Sequence, residues 1–537
     1  MTSTLAGVFY RTQAYQMSLR GTPPHEPATL FPSLAPADPV QAEAVLDGGF
    51  LLGGRRFPFG SMPWSAMAPG MVLAERLHEF GWLVDLRALG SEAARQRARS
   101  LTSGWLAAHR RWTTPAWQPP VLARRLANWL VASDFLFSGA EPGFRLSLLE
   151  SAGFQARHLQ RVAGACSGKP AAFAIVLGRI AAAVVLGIGD LDRAIDQLNR
   201  EVNLQIFPDG GHIYRNPAMQ LAVLRDLVDI RAGLALVAKA PPPAVGSAIE
   251  RMAPILRAFR HGDGGLALFH GAKEMSRSVI DTVLVASNVK ERAPVGMADC
   301  RYTRLAAGRS LIIADVGAPP RGPDAHAGLL AFEMSDGQDR LIVNCGGFAG
   351  DSARWRTALR STAAHSTLSV GDVNAVSLAP GRWDRARKPK VEAERRETDG
   401  AVWLDASHDG YLRRFKLIHR RRLYLDATGC DLRGEDSLEG RATGHVFRLR
   451  FHLHPEVTAA LVEDGRSVLL KTPRSGWRFL CVGGAMALEE SAYLGHSDNP
   501  EKAQQIVVSG TVGGPGSGGE GAMAVQLKWA LRRQGAT

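Results

Sequence analysis

Residues 324–368 read DAHAGLLAFEMSDGQDRLIVNCGGFAGDSARWRTALRSTAAHSTL, and this segment decides how the second half of the chain folds. Two apolar runs, Leu329–Met334 and Arg340–Cys345, flank a turn that contains Asp336-Gly337. An Asp-Gly pair between two extended apolar runs is a strong short-range signal for a β-hairpin. The segment therefore predicts an antiparallel hairpin, around which the β-rich half of the chain is arranged.

Side chains that bind metals or carry protons flank this hairpin. His326 lies just before its first strand, Asn344 and Cys345 end its second strand, and His365 follows a polar, Arg-rich segment. If that segment folds back, these side chains meet near one hairpin, and we expect the chemistry there. Successive side chains of a strand point to opposite faces, so Cys345 is an improbable ligand if Asn344 is one.

After Gly262 the hydrophobic pattern changes to a period of two, which is typical of strands. Turn residues separate the short runs, and many strands at short intervals predict an antiparallel sandwich. Besides the hairpin, the predicted strands are Leu266–Phe269, Ser310–Asp315, Val402–Ala406, Phe415–Ala427, Val446–His454, Ser467–Lys471, Gln505–Ser509 and Ala524–Leu531.

From about residue 72 to residue 260 the pattern is helical. Asp190 is a suitable N-cap, and apolar residues recur at spacings of four and three from Leu191 to Val202. Because helices come first and strands follow, the layers are segregated, which predicts a multidomain α+β protein. The predicted domains are an irregular N-terminal arm (1–70), a helical domain (71–262) and a β-sandwich domain (263–537).

The charge balance predicts an acidic partner. Lys plus Arg number 64 and Asp plus Glu number 51, which gives a formal net charge of +13. Such a charge favours nucleic acid, anionic lipid or acidic polysaccharide as a partner. The basic residues are scattered and form no basic-aromatic motif, so nucleic acid is the least favoured class and is not predicted. The five cysteines include no C-x-x-C pair, which favours reduced thiols over a disulfide scaffold or a zinc finger.

Targeting signals are weak in this sequence. Residues 1–21 lack the continuous apolar core of a secretory signal. The most apolar run, Ala171–Ile188, contains Arg179 and two glycines, which favours a buried helix over a membrane span. No transmembrane segment is predicted, and a cytoplasmic location is one expectation. The sequence gives no prediction of oligomeric state.

Two strands carry their basic side chains on one face. In Arg448–His454 every second residue is Arg or His, and residues 414–425 show a similar alternation. We expect the solvated face of a sandwich, on which cations meet acidic partners across the strands. A polyanion-binding face is the alternative.

Four stretches together resemble one protein family. They are residues 205–218 (QIFPDGGHIYRNPA), residues 261–270 (HGDGGLALFH), the hairpin with its TAAHSTL segment, and residues 408–426 (HDGYLRRFKLIHRRRLYLD). The chain is similar to heparinase II/III family proteins, and most to the branch common in alphaproteobacteria. The resemblance implies an N-terminal α/α toroid, an incomplete barrel of helical hairpins, followed by a C-terminal antiparallel β-sandwich.

The resemblance also implies a reaction. Family members cleave acidic, uronate-containing polysaccharides by β-elimination, which requires a neutralised carboxylate and a Tyr or His that moves protons. This chain departs from the pattern, because Met219 stands where the lyases have Tyr. Residues 167–170 lack the upstream Asn, and the hairpin entry keeps His326 but not the preceding His, which is Asp324 here.

The residues present give a set of candidates. We expect proton transfer by His212, Tyr214 and His326, contacts to the acid group of the substrate by Lys169, Arg215 and Asn216, and a weak zinc site at His326, Asn344 and His365. The amide makes that site weak because it is a poor replacement for a carboxylate. The structural alternatives are a helix-capping His212, a packed Tyr214, a salt-bridged Arg215 and hairpin histidines that orient loops.

Three functions follow from these candidates. The first is a lyase-like enzyme that cleaves an acidic glycan of the cell envelope, with an envelope or periplasmic location by resemblance. The second is a catalytically diverged glycan-binding or envelope-assembly protein on the same scaffold, which Met219 and Asp324 favour. The third is a glycoside hydrolase, for which Asp209 and Asp324 form the carboxylate pair.

Overall fold

We describe the protein from a computed structural model. The structure describes residues 2–27, 29–59, 64, 71–320, 322, 324–378, 387–513 and 523–535. The chain forms two compact units. The first unit comprises Met1–Ile206, Ala222–Glu250 and Val285–Ser287, and the second comprises Phe207–Leu221, Arg251–Leu284 and Asn288–Thr537.

The N-terminal region is more regular than the predicted irregular arm over residues 1–70. It contains helices α1 (Thr2–Arg11), α2 (Gln13–Ser18) and α3 (Pro39–Leu46), and a hairpin of β1 (Gly49–Leu52) and β2 (Arg55–Pro58). The side chain of Asp38 accepts hydrogen bonds from the N–H groups of Val40 and Gln41. Pro39 therefore occupies the first turn, where a proline begins a helix and does not interrupt it. Residues 60–63 and 65–70 of the predicted arm lie outside the described part.

Among the described residues, eleven further α-helices follow before the large sheets begin. Their bounds are α4 (Met71–His78), α5 (Trp82–Leu89), α6 (Glu92–Ala108), α7 (Pro119–Val131), α8 (Ser133–Phe137), α9 (Pro142–Val162), α10 (Ala172–Leu186), α11 (Leu191–Gln205), α12 (Pro217–Ala235), α13 (Pro243–Ala258) and α14 (Arg277–Ser287). The predicted cap is present, since Asp190 accepts from Arg193 N–H at α11, and Ser91 accepts from Ala94 N–H at α6 in the same way.

Helix α10 is the buried helix that the most apolar run predicts. Its Gly178 packs so closely on α7 that an added Cβ would lie 2.7 Å from the carbonyl oxygen of Ala123. The Arg179 side chain finds partners within the unit, because its Nε donates to Gln160 and its Nη1 to Gln197. No helix among the described residues is long and apolar enough to cross a bilayer.

The second unit is built mostly of strands. They are β3 (Gly296–Met297), β4 (Tyr302–Ala307), β5 (Ser310–Asp315), β6 (Phe332–Asp336), β7 (Asp339–Val343), β8 (Leu368–Val370), β9 (Val391–Thr398), β10 (Ala401–His408), β11 (Leu417–Leu425), β12 (Asp431–Gly440), β13 (Val446–Leu453), β14 (Thr458–Val462), β15 (Ser467–Lys471), β16 (Gly476–Val482), β17 (Ala485–Tyr493), β18 (Glu501–Thr511) and β19 (Met523–Arg533). Two short helices, α15 (Ala353–Arg360) and α16 (Leu412–Phe415), interrupt them.

These strands form two antiparallel sheets. One has the order β14-β15-β16-β19-β12-β11-β10-β9, and the other has the order β17-β18-β13-β7-β6-β5-β4-β3, with β8 paired to β13. Aromatic side chains from both sheets share one core. The ring of Trp529 (β19) lies 5.9 Å from that of Phe332 (β6) and 4.9 Å from that of Phe451 (β13). The two sheets therefore pack as a sandwich.

The predicted hairpin is present as β6 and β7, with Met334 opposite Ile342 and Asp336 opposite Asp339. Its turn is the two residues Gly337-Gln338, and Gly337 has a φ of +58°. A two-residue hairpin turn needs a positive φ, which glycine adopts without steric cost. The first strand begins three residues later than predicted, because Leu330, with a φ of +56°, forms a turn before it.

Other predictions need correction. Leu266–Phe269 is extended but forms no strand, and its only ladder contact among the described residues is a single bridge between Leu266 and Arg260. The side chains of Arg450 and His452 in β13, and of His454 just after it, are buried, so this face is not solvated. In β11 the expected pairing holds, since Arg420 and Arg422 bind Asp405 of β10. Arg422 also pairs with Glu435 of β12.

The two units also differ from the predicted boundary between residues 262 and 263. Residues 207–221 belong to the second unit, although the sequence placed them in the helical domain. Arg215 pairs there with Asp315 at the end of β5, and the hydroxyl of Tyr302 donates to the Arg215 carbonyl at 2.7 Å. These contacts attach the segment to the β-rich unit.

Candidate functional site

Arg215 is a structural residue. Its guanidinium is buried and donates to the carbonyl oxygens of Cys300 (2.7 Å), Ala318 (2.9 Å) and Arg301 (3.0 Å), and it forms an ion pair with Asp315. These contacts engage all three nitrogens of the planar fork. The predicted role of Arg215 as a substrate clamp is therefore replaced by the alternative, a structural salt bridge.

Asp315 connects Arg215 to a series of histidines. His270 Nε2 lies 3.1 Å from Asp315 Oδ2, and His270 Nδ1 accepts the backbone N–H of His326 at 3.3 Å. Burial opposes ionisation of Asp315, but the Arg215 guanidinium and the His270 ring together outweigh it and lower the pKa of this carboxyl. A carboxylate only accepts, so Nε2 of His270 carries the proton and the ring is neutral.

His326 and His365 contact each other, as predicted for the hairpin. His326 Nδ1 lies 3.1 Å from His365 Nε2, and His365 Nδ1 lies 2.7 Å from the carbonyl oxygen of Ser361. That carbonyl accepts, which assigns the proton of His365 to Nδ1 and makes its Nε2 the acceptor from His326 Nδ1–H. The lone pair of His326 is therefore on Nε2, which has no hydrogen-bond partner among the described residues.

Both rings are neutral near pH 7. Burial, followed by the neighbouring His365 and His270, lowers the pKa of His326 well below its usual value. Burial lowers the pKa of His365 to about 4. A histidine with so low a pKa is a weak base, because efficient proton abstraction needs a pKa near the working pH.

Asn344 does not complete the predicted zinc site. Its Nδ2 donates to Glu333 Oε1 at 2.9 Å, and its Oδ1 accepts the backbone N–H of Ser366 at 3.1 Å. The two histidine nitrogens have a separation close to the roughly 3.3 Å between neighbouring ligands of a tetrahedral zinc ion. Protein zinc sites use three or four protein ligands, however, so the residues present at the hairpin do not fit one.

His212 and Tyr214 form a local stack. Their rings lie 5.3 Å apart at an interplanar angle of 27°, and His212 Nδ1 accepts the backbone N–H of Tyr214 at 3.3 Å. Burial lowers the pKa of His212 to about 3, so this ring is uncharged near pH 7 and cannot neutralise a carboxylate as a cation. Tyr214 is half-buried, and a Cβ at Gly322 would lie 3.1 Å from its ring.

Asn216 and Lys169 are separated. Asn216 caps α12, because its Oδ1 accepts the N–H of Met219 at 2.9 Å, and its Nδ2 donates to the His270 carbonyl at 2.7 Å. Lys169 belongs to the first unit, where its exposed ammonium donates to the Ala165 carbonyl at 2.7 Å.

Two of the candidates lie close to the backbone of Gly271. A Cβ added to Gly271 would lie 3.3 Å from His326 Nε2 and 4.0 Å from Asn216 Nδ2. The free lone pair of His326 is therefore on the side of the ring that faces Gly271, near the amide of Asn216.

The carboxylate pair of the hydrolase hypothesis is not available. Asp209 Oδ2 accepts the backbone N–H groups of Asp299 and Cys300, both at 2.8 Å, and Oδ1 accepts the N–H of Gly211 at 2.9 Å. Asp209 thus holds two loops together. A general acid for glycoside hydrolysis would instead need access to the glycosidic oxygen.

Comparison with known proteins identifies the family. The chain is 33% identical over 515 residues to FtsZ-localized protein C of Caulobacter vibrioides, which covers 91% of this chain and 87% of that protein. Residues 290–530 match the Heparinase II/III-like, C-terminal family model. The chain belongs to the heparinase II/III-like family. Similar solved structures include a heparinase III (TM-score 0.72, 14% identity, 99% of this chain and 89% of that chain). Another is a mutant heparan sulfate lyase from Pedobacter heparinus (TM-score 0.64, 16% identity, 99% and 88%).

The heparinase II/III-like fold confirms the predicted fold class, an N-terminal α/α toroid followed by a C-terminal antiparallel β-sandwich. Sequence reasoning missed His270 and Asp315, which join the hairpin histidines to Arg215. Both stood at the ends of runs that were read as strands. The signal in the sequence was a carboxylate or an imidazole at the end of each predicted strand. Which of these side chains meet depends on strand register and tertiary contacts.

Proposed function

We propose that this heparinase II/III-like protein has lost the standard β-elimination chemistry and acts as a glycan-binding assembly protein that co-localises with FtsZ. The observation that carries the proposal is that the Arg215 guanidinium is engaged by groups of the protein itself. The cation expected at the substrate carboxylate is buried and donates to Asp315 and to three carbonyl oxygens. The thioether of Met219, at the position of the lyase tyrosine, cannot move a proton.

The sequence relationship supports the same proposal. The chain is 33% identical to a protein named for its localisation with FtsZ, whereas its identity to the lyases of similar fold is 14–16%. The net charge of +13 supports an acidic partner, for which a uronate-containing polysaccharide is our choice. Loss of the reaction does not require loss of glycan binding, because charge attraction acts without proton transfer.

Imaging tests the location. We expect a fluorescent fusion expressed in its own host to concentrate where FtsZ concentrates, and to disperse when FtsZ is depleted. The His326→Ala variant, which removes a candidate base whose Nε2 has no hydrogen-bond partner among the described residues, should localise in the same way. Uniform distribution, or a signal that ignores FtsZ depletion, would refute the division-site assignment.

A lyase acting on an acidic glycan is the second candidate. The observation in its favour is that His326 Nε2 and the Asn216 amide both lie close to Gly271. In such an enzyme His326 would remove the proton and the amide would contact the developing charge. This is the weaker candidate, because the pKa of His326 is low and the Arg215 guanidinium is already paired with Asp315.

A further inference from the structure

Three side chains from separate segments of the second unit converge away from the hairpin. Glu274 follows the extended Leu266–Phe269 segment, His454 follows β13, and His496 lies between β17 and β18. Glu274 Oε1 is 3.3 Å from His454 Nε2, and Glu274 Oε2 is 3.4 Å from His496 Nε2. One atom of each side chain lies within 4.8 Å of an atom of both others.

We propose that Glu274, His454 and His496 bind a Zn²⁺ ion and leave its fourth position to water. Neighbouring ligands of a tetrahedral zinc ion, each 2.0–2.1 Å from the metal, lie about 3.3 Å apart, which matches both short distances. Two histidines and one glutamate are a known ligand set for zinc with one open position. The His496 side chain is 46% exposed, so solvent reaches one side of the cluster.

The surrounding groups suit metal ligands. His496 Nδ1 lies 2.8 Å from Glu501 Oε1, which makes the carboxylate–histidine–metal arrangement that orients a ligand ring. The Tyr493 hydroxyl donates to Glu274 and fixes that carboxylate. His454 Nδ1 accepts the backbone N–H of Glu456 at 3.3 Å and lies 3.9 Å from the Glu456 carboxylate. When Nε2 holds the metal, the proton of the neutral ring moves to Nδ1, and the Glu456 carboxylate is the acceptor beside it.

Local charge favours a cation at this point. The two nearby cations pair with other carboxylates at shorter distances, Arg340 with Asp263 at 2.7 Å and Lys273 with Asp498 at 3.0 Å, and Arg340 Nη1 lies 3.8 Å from Glu274 Oε1. Glu274 and Glu501 both contact His496.

The test uses the full-length, tag-free chain, stripped with a chelator and titrated with zinc chloride. We expect one zinc per chain by elemental analysis after gel filtration. Glu274→Gln and His496→Ala should weaken zinc binding at least about 100-fold in calorimetry, and Glu501→Gln about 10–100-fold, as for other residues that orient a ligand. His25→Ala, at an exposed histidine of the first unit, is the matched control and should bind like the wild type.

Two results would overturn the proposal. One is a stripped wild-type chain that binds no zinc at 100-fold molar excess. The other is full zinc binding by His496→Ala together with loss in His326→Ala, which would place the metal at the hairpin histidines. Circular dichroism of each variant tests whether the fold is intact. Because the His496 side chain is exposed, its replacement should not unfold the protein, and a loss of zinc binding would then reflect the loss of a ligand.

Discussion

At the scale of single residues, the chemistry of the second unit is dominated by burial. The Arg215 guanidinium lies over the ring of Tyr302, with 4.7 Å between Cζ and the ring centroid, while its N–H groups bind Asp315 and three carbonyls. Taking two charges out of water is expensive, and the fold recovers that free energy only while both partners are present.

We therefore expect Arg215→Met to lower the free energy of unfolding by about 3–5 kcal/mol, because it leaves Asp315 as an uncompensated buried charge. Arg422→Met is the matched control. Its side chain is 49% exposed and pairs with Asp405 and Glu435 at the surface, so its loss should cost no more than about 1 kcal/mol. Denaturant unfolding followed by circular dichroism measures both. Equal stability of the two variants would mean that Arg215 is not structural.

His326 gives a second prediction at this scale. Its contacts assign the proton to Nδ1 and its pKa lies well below the usual value, chiefly because of burial. In ¹⁵N-histidine NMR spectra we expect its ring to stay neutral, with an unprotonated Nε2, from pH 8 down to pH 5.5. His326→Gln identifies the resonance. A titration midpoint near 6.5 for that resonance would contradict the assigned tautomer and burial.

The sequence indicated which of these residue types would meet, but not their roles. His326 and His365 were predicted to meet because one short hairpin connects them. The role of Arg215 depends on Asp315 and on the carbonyl of Cys300, which lie 100 and 85 residues away in the chain. Local pattern carries no information about such distant partners, so a clamp and a salt bridge were equally compatible with the sequence.

At the scale of elements, glycine positions control how closely helices approach. An added Cβ at Gly178 of α10 would lie 2.7 Å from the carbonyl oxygen and 2.9 Å from the Cα of Ala123 in α7. Backbone atoms cannot move aside as a flexible side chain does. Gly81, just before α5, has a φ of −57° and no atom within 4 Å of an added Cβ.

Gly178→Ala should consequently destabilise the first unit by about 1–3 kcal/mol through overpacking. Gly81→Ala should be neutral or stabilising by up to about 1 kcal/mol, because alanine loses less conformational entropy on folding. Thermal unfolding compares the two variants. A Gly178→Ala protein as stable as Gly81→Ala would show that α7 and α10 are further apart than described.

Elements with a clear period or cap were predictable. Asp336-Gly337 between two apolar runs predicted β6 and β7, and Asp190 predicted the start of α11. Leu266–Phe269 has the composition of a strand but pairs only at one bridge, since its N–H and carbonyl groups meet other partners. Leu268 N–H, for example, donates to Glu333. The N-terminal helices were missed because prolines were read as breaks.

At the scale of the whole molecule, buried neutral histidines link stability to pH. Burial lowers the pKa of His365 to about 4, and those of His212 and His452 to about 3. These three rings belong to the second unit. The unfolded chain, with histidine pKa values near 6.5, binds more protons than the folded chain between that pH and the folded pKa.

The contribution of these buried histidines to the free energy of unfolding is therefore fully present above about pH 6.5, and it is lost as the pH falls toward about 4. From pH 7 to pH 5 we expect a loss of about 2 kcal/mol per buried histidine, the free energy of protonating an imidazole of pKa 6.5 only in the unfolded state. Urea titrations at pH 5, 6 and 7 measure the slope. A free energy of unfolding that is constant or rises toward pH 5 would contradict the burial of these rings.

Family membership fixes the fold of the molecule but leaves its activity open. The central claim is that the scaffold persists without β-elimination, and the most direct measurement is absorbance at the unsaturated-uronate band. The wild-type chain is incubated with a panel of uronic-acid polysaccharides, with and without zinc, beside an active heparan sulfate lyase as the positive control. We predict a flat trace for the wild-type chain on every glycan, with glycan binding still detectable. A rise in absorbance that disappears in His326→Ala would contradict the claim and establish a lyase.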